Sequence, residues 1–113
     1  MPFVAIETNV VLAAERKSSV LSALAAHVAD ILDKPLKFVM VSLRSAEMHF
    51  GTDSSPAAFV ELKSISLQRQ QCPALTGSLC TFLERELGIA PQRVYIQFSI
   101  LDGSLFGWNS TTF

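Results

Sequence analysis

Apolar residues return along this chain in two rhythms, and each rhythm occurs twice. Phe3 to Thr8 reads as a short strand. Val20, Leu21, Leu24, Val28, Ile31 and Leu32 then follow at helical spacing. Lys34-Pro35 ends that helix, because the residue before a proline is pushed out of the helical region. Phe38 to Leu43 is a nearly continuous apolar run, the pattern of a strand buried on both faces. The second half repeats the order. Ala58 to Ile65 reads as a strand, and Leu75, Leu79, Phe82, Leu83 and Leu87 mark a helix with Pro73 at its opening and Gly88 at its close. Val94 to Leu101 completes the pair.

Sliding the chain by 56 positions lays Phe3-Val4 on Phe59-Val60, Pro35 on Pro91, and Phe50-Gly51 on Phe106-Gly107. Few of the superposed residues are identical, but the matches fall at equivalent points of equivalent elements. The expectation is one domain, 1–113, made of pseudo-repeats 1–56 and 57–113. Two strand-helix-strand units favour an α/β (in some schemes α+β) fold, a four-stranded sheet with both helices on one face. Along the last long strand Val94, Ile96, Phe98 and Ile100 point one way, toward the helices. Tyr95, Gln97 and Ser99 point the other way, onto the uncovered face.

Composition adds a reason for that face to be covered. The chain has 113 residues, 50% hydrophobic and only 17% charged, with a mean hydropathy of +0.37. So small a monomer hides that much apolar surface with difficulty, and self-association is the simplest outlet. No apolar stretch reaches the length of a membrane span. No basic region followed by an apolar core opens the chain, so a cytoplasmic location is the default expectation, with non-conventional secretion left open. A net charge of −1 argues against a nucleic-acid partner, which calls for a basic face. Cys72 and Cys80 lie eight apart in a helical segment, about 12 Å by helical rise, too far to bridge. Neither makes a metal-ligand pattern with His27 or His49.

Pro2 is the position with chemical potential. Removal of Met1 would turn its ring nitrogen into a free secondary amine, and burial or a neighbouring cation would lower the pKa of that amine toward neutrality.

Met1-Pro2-Phe3, Asp33-Lys34-Pro35, Lys63-Ser64-Ile65, Pro91-Gln92-Arg93-Val94-Tyr95-Ile96 and the ending Gly107-Trp108-Asn109-Ser110-Thr111-Thr112-Phe113 together resemble the family of macrophage migration inhibitory factor and D-dopachrome tautomerase, within the tautomerase superfamily. The resemblance covers the whole chain. It implies a homotrimer whose three sheets enclose a channel, with active sites between neighbouring subunits. It also implies a keto-enol tautomerase acting on phenylpyruvate-like aromatic 2-keto acids, and on dopachrome-type compounds as artificial substrates, without metal or organic cofactor.

Carried over by position, Pro2 matches the general base and Lys34 the lysine that attracts the substrate carboxylate. Ser64 and Ile65 match pocket-lining residues. Tyr95 and Gln97 match pocket residues from the adjacent subunit. Phe3, Phe106, Trp108 and Phe113 match the apolar walls, with Phe106 at a position that is usually smaller. Lys63 stands where the mammalian cytokines often have histidine.

Three departures stand out. Ala57-Ala58-Phe59-Val60 replaces the cytokines' Cys-x-x-Cys pair, so thiol-disulfide chemistry has no residues here. Ser66-Leu67-Gln68-Arg69-Gln70 replaces a glycine-rich turn, and Gln97 replaces asparagine. The alternative reading is a cytokine-like trimer that binds a protein receptor, with residual or no tautomerase activity. Asn109-Ser110-Thr111 has the form of a glycosylation acceptor, and a C-terminal turn is its expected role.

Overall fold

The computed structural model describes all residues, Met1–Phe113. Its main elements are β1 (Pro2–Thr8), α1 (Ala14–Leu32), β2 (Met40–Ser45), β3 (Ala58–Ile65), α2 (Cys72–Leu87) and β4 (Val94–Leu101). A terminal hairpin of β5 (Gly107–Trp108) and β6 (Thr111–Thr112) follows. The four long strands form one sheet in the order β2-β1-β3-β4. β1 runs parallel to β2 and β3 parallel to β4, while the central pair β1-β3 is antiparallel.

Strand alternation decides where the core lies. In β1 and β3 every second residue is buried, so Val4, Ile6, Val60 and Leu62 face the helices. They meet Val20, Leu24 and Val28 from α1, and Leu75, Leu79, Phe82 and Leu83 from α2, in one cluster. Those helical positions recur three or four apart, which gives each helix a single apolar stripe. Two polar residues are buried with them. Thr8 donates its hydroxyl to the Ala57 carbonyl at 2.8 Å, and Ser64 donates to the Ile65 carbonyl at 3.1 Å, so neither is left unpaired.

The structure corrects two sequence expectations. The second strand spans Met40–Ser45 rather than 38–43, because Leu36–Phe38 winds into a 3-10 turn after Pro35. It is also an edge strand, with Met40 66% exposed, so it is not buried on both faces in this chain. Its apolar run reflects half-burial against α1 on one side. In β4 the helix-facing set holds for Val94, Ile96 and Phe98, but Ile100 is 51% exposed and lies outside the core cluster. Tyr95 and Gln97 are exposed on the open face, as the alternation requires.

Both helices end on a left-handed residue, Asp33 at φ 52° and Gly88 at φ 68°. At the first end Lys34 N–H donates to the Ala29 carbonyl at 3.0 Å and Asp33 N–H to Asp30 at 3.3 Å, a Schellman arrangement. The stop therefore comes before the proline acts, and it fixes where Lys34 leaves the helix. Neither helix is long and apolar enough to cross a membrane.

Candidate functional site

The N-terminal end of β1 lies at one end of the sheet, where Pro2 pairs with Ser64 of β3 and Phe3 pairs with both Lys63 and Met40. The C-terminal segment folds back onto that end. Asn109 and Ser110 both take positive φ, 52° and 68°, the two-residue turn that a tight β5-β6 hairpin needs. Phe113 N–H then donates to the Gly103 and Phe106 carbonyls at 3.1 and 3.2 Å, which docks the last residue. A side chain at Gly103 would meet Phe113 at 3.2 Å, so the docked residue would have to shift by a few tenths of an ångström to admit one.

Docking closes a cavity of about 470 Å³ in which Pro2 and Phe3 form one wall and Phe106, Gly107, Trp108 and Phe113 another. Trp108 stands edge-on to Phe38 at 5.3 Å between ring centres and stacks on Phe113 at 6.1 Å, while Phe113 stacks on Phe106 at 5.9 Å. Offset and edge contacts of this kind hold rings in fixed orientations. The result is an open slot walled largely by aromatic rings. Lys37 and Lys63 reach its rim, and the Lys37 ammonium sits 5.1 Å from the Phe38 ring centre.

Lys34, Ser64 and Ile65 do not line the aromatic slot. They line an adjoining polar cavity of about 300 Å³, together with Ser66, Leu67, Gln68 and Gln71. The two spaces flank the start of β1, because Ser64 is the strand partner of Pro2. The chain's α-amino group feels both. Its pKa is lowered, first by burial and second by the positive charge of Lys34.

Tyr95 and Gln97 lie elsewhere. Ile100 is the β4 residue level with Ser64, and Tyr95 precedes it by five positions. At ~3.3 Å per residue and ~4.8 Å per strand, Tyr95 is about 19 Å and Gln97 about 14 Å from Pro2. Within one chain neither joins the Pro2 cavity. Tyr95 instead packs against Phe50 at 4.9 Å between ring centres.

Phe50 is itself held by Arg93, whose guanidinium lies 5.4 Å from its ring centre. Arg93 donates to the Pro56 and Ser55 carbonyls at 3.0 Å, to Asp53 at 3.2 Å and to Phe50 at 3.4 Å. Asn9 completes the anchoring of the 46–57 connection. Its amide donates to Ser54 and Ser55 carbonyls at 3.0 and 3.1 Å and its oxygen accepts from Ala57 N–H at 2.8 Å.

Sequence reasoning reached Pro2, Phe3, Lys63, Phe106, Trp108 and Phe113 in the slot, and Lys34, Ser64 and Ile65 in the polar cavity. It missed Lys37, Phe38, Val39 and Met40, and the amides Gln68 and Gln71. The first four become visible once β2 is registered beside β1, which no periodicity reveals. No group of three His, Cys, Asp or Glu side chains comes together to hold a metal ion.

Residues 1–113 match the family model described as macrophage migration inhibitory factor. The chain is 36% identical over 115 residues to the macrophage migration inhibitory factor homolog of Trichinella spiralis, covering 100% of both. It is also 36% identical to the D-dopachrome decarboxylase of Gallus gallus, covering 98% of this chain and 96% of that protein. A crystal structure of the homologue from Prochlorococcus marinus superposes with a TM-score of 0.90 at 34% identity, covering 98% of each chain.

Proposed function

Because the chain belongs to the macrophage migration inhibitory factor family, we propose that it is a cofactor-independent keto-enol tautomerase of phenylpyruvate-like 2-keto acids, with Pro2 as general base. The observation that carries the reading is the seat of the chain's start. An amine there is partly desolvated, faces Lys34, and opens onto an aromatic slot. Removal of Met1 transfers that seat to the Pro2 ring nitrogen.

The reaction runs with few groups. The unprotonated nitrogen accepts the proton from the carbon next to the ketone, and the C–H electrons form the C=C bond as the carbonyl pair moves onto oxygen. A proton returned to that oxygen gives the enol. Lys34 attracts the carboxylate, and the aromatic walls hold the ring, so the acidic carbon is presented to the nitrogen without a search.

The active assembly in this reading is a homotrimer. Tyr95 and Gln97 lie too far from Pro2 to serve it within one chain, and β2 offers a half-exposed edge to a neighbour. A neighbouring copy supplies both residues to the slot.

Turnover of phenylpyruvate by Pro2→Gly tests the base. A loss of at least about 100-fold in kcat is expected, the usual contribution of a positioned base. Turnover at the parent rate in a folded variant rejects it. The relatives' name, macrophage migration inhibitory factor, supports a second reading, a cytokine-like protein that binds a receptor through the trimer surface. A specific protein partner that binds Pro2→Gly as tightly as the parent, when turnover is gone, would show that binding is separate from catalysis.

A further inference from the structure

The polar cavity beside Lys34 has a feature that the tautomerase reading does not use. Ser66 holds a left-handed backbone, φ 64°, which is uncommon for a residue with a side chain. Leu67 is buried after this turn, and Gln68 and Gln71 line the cavity beside Lys34. Gln71 Oε1 accepts from Gln68 N–H at 2.8 Å, while Gln71 N–H donates to the Gln68 backbone carbonyl at 3.0 Å. The Gln71 amide thus spends its oxygen on the backbone, which leaves its NH₂ group as the free end.

The cavity therefore gathers one ammonium and two amide NH₂ donors, with the Ser66 hydroxyl beside them, and no carboxylate side chain lines it. Such a set suits an anion with two oxygen atoms. At about 300 Å³ it also has room for a carboxylate with its water.

We propose that Gln68 and Gln71 are specificity-determining residues that, with Lys34, bind the acid end of the substrate and select 2-keto acids over their neutral esters. The proposal rests on the tautomerase reading for its substrate. The bond from Gln68 N–H holds the Gln71 side chain before substrate arrives, so less of its rotamer freedom is lost on binding.

Gln71→Glu and Gln68→Glu test it, because glutamate replaces the NH₂ donor by negative charge and at position 71 keeps the oxygen that accepts the Gln68 N–H. KM for phenylpyruvate is expected to rise about 10-fold in each, the effect of a like charge about 6 Å away in a partly screened site. KM for phenylpyruvate methyl ester should change less than 2-fold, and kcat should hold. Equal changes for acid and ester, or no change for the acid, overturn the proposal.

Binding of 3-phenylpropionate, which does not turn over, is measured on the same variants by calorimetry. Weakening of about 10-fold in both variants supports the subsite even if Pro2 proves not to be a base. Unchanged binding with intact parent turnover sinks the subsite and leaves the tautomerase reading standing.

Discussion

Replacing Arg93 by alanine removes the donor that ties the 46–57 connection to the start of β4. Of its four bonds to backbone carbonyls, the two at 3.0 Å, to Pro56 and Ser55, have the best length. A bond to a charged donor contributes about 1.5–3 kcal/mol. The Arg93 side chain is only 18% exposed, so its bonds are shielded in part, but the released carbonyls lie on an exposed segment and regain water. Each of the two bonds takes the lower end of the range, about 1.5 kcal/mol, so Arg93→Ala is expected to destabilise by about 2–3 kcal/mol.

Arg93→Lys keeps the charge and loses the fork, and should fall between, at about 1–2 kcal/mol. Asn9 shares the Ser55 carbonyl with Arg93, so the double variant Asn9→Ala/Arg93→Ala should show a coupling of about 0.5–1 kcal/mol. Urea unfolding followed by Trp108 fluorescence, at one fixed protein concentration, reads the parent, Asn9→Ala, Arg93→Ala, the double variant and Arg93→Lys. An Arg93→Ala variant within about 0.5 kcal/mol of the parent would refute the reasoning, since that is the range of ordinary surface changes.

Ser66→Gly should raise stability by about 0.5–1 kcal/mol in the same assay, because glycine takes the left-handed backbone without strain; a clear loss would show that the Ser66 side chain holds the turn. Lys34→Met should move the lower limb of the kcat/KM–pH profile to higher pH. The base works unprotonated, so activity rises with pH through its pKa, and Lys34 is one of the two causes that lower the amine there. A limb that stays in place, or moves down, would detach Lys34 from the base. The assembled mass, measured by light scattering, should be three times that of the chain; a monomer with full turnover would remove Tyr95 and Gln97 from the site.

The sequence makes the helices and three of the four long strands plain because burial on one side leaves a periodic trace. Val20, Leu24 and Val28 mark one stripe, and Val94, Ile96 and Phe98 another. β2 was harder to place. Pro35 starts a 3-10 turn through Leu36–Phe38, and those apolar residues continue the run of the strand without belonging to it. The terminal hairpin leaves almost no periodic signal, since each of its strands is two residues long.

Legibility of the site follows the same division. Pro2, Lys34 and Trp108 were reached through family-like motifs. Gln68 was visible only within a departure from a glycine-rich turn and Gln71 not at all, because their place beside Lys34 depends on the turn that follows the left-handed Ser66. The 19 Å gap between Pro2 and Tyr95, about that by strand spacing, could not be read before the register was known.

In the proposed reaction a free Pro2 amine performs the chemistry. Its most direct test compares phenylpyruvate turnover by two samples of verified intact mass, one beginning at Pro2 and one with an alanine inserted between Met1 and Pro2. The insertion makes the ring nitrogen an amide and leaves every side chain of the slot in the sequence. Full turnover is expected in the first and a fall of at least about 100-fold in the second, at matched circular dichroism and assembled mass. Equal turnover in both would contradict it.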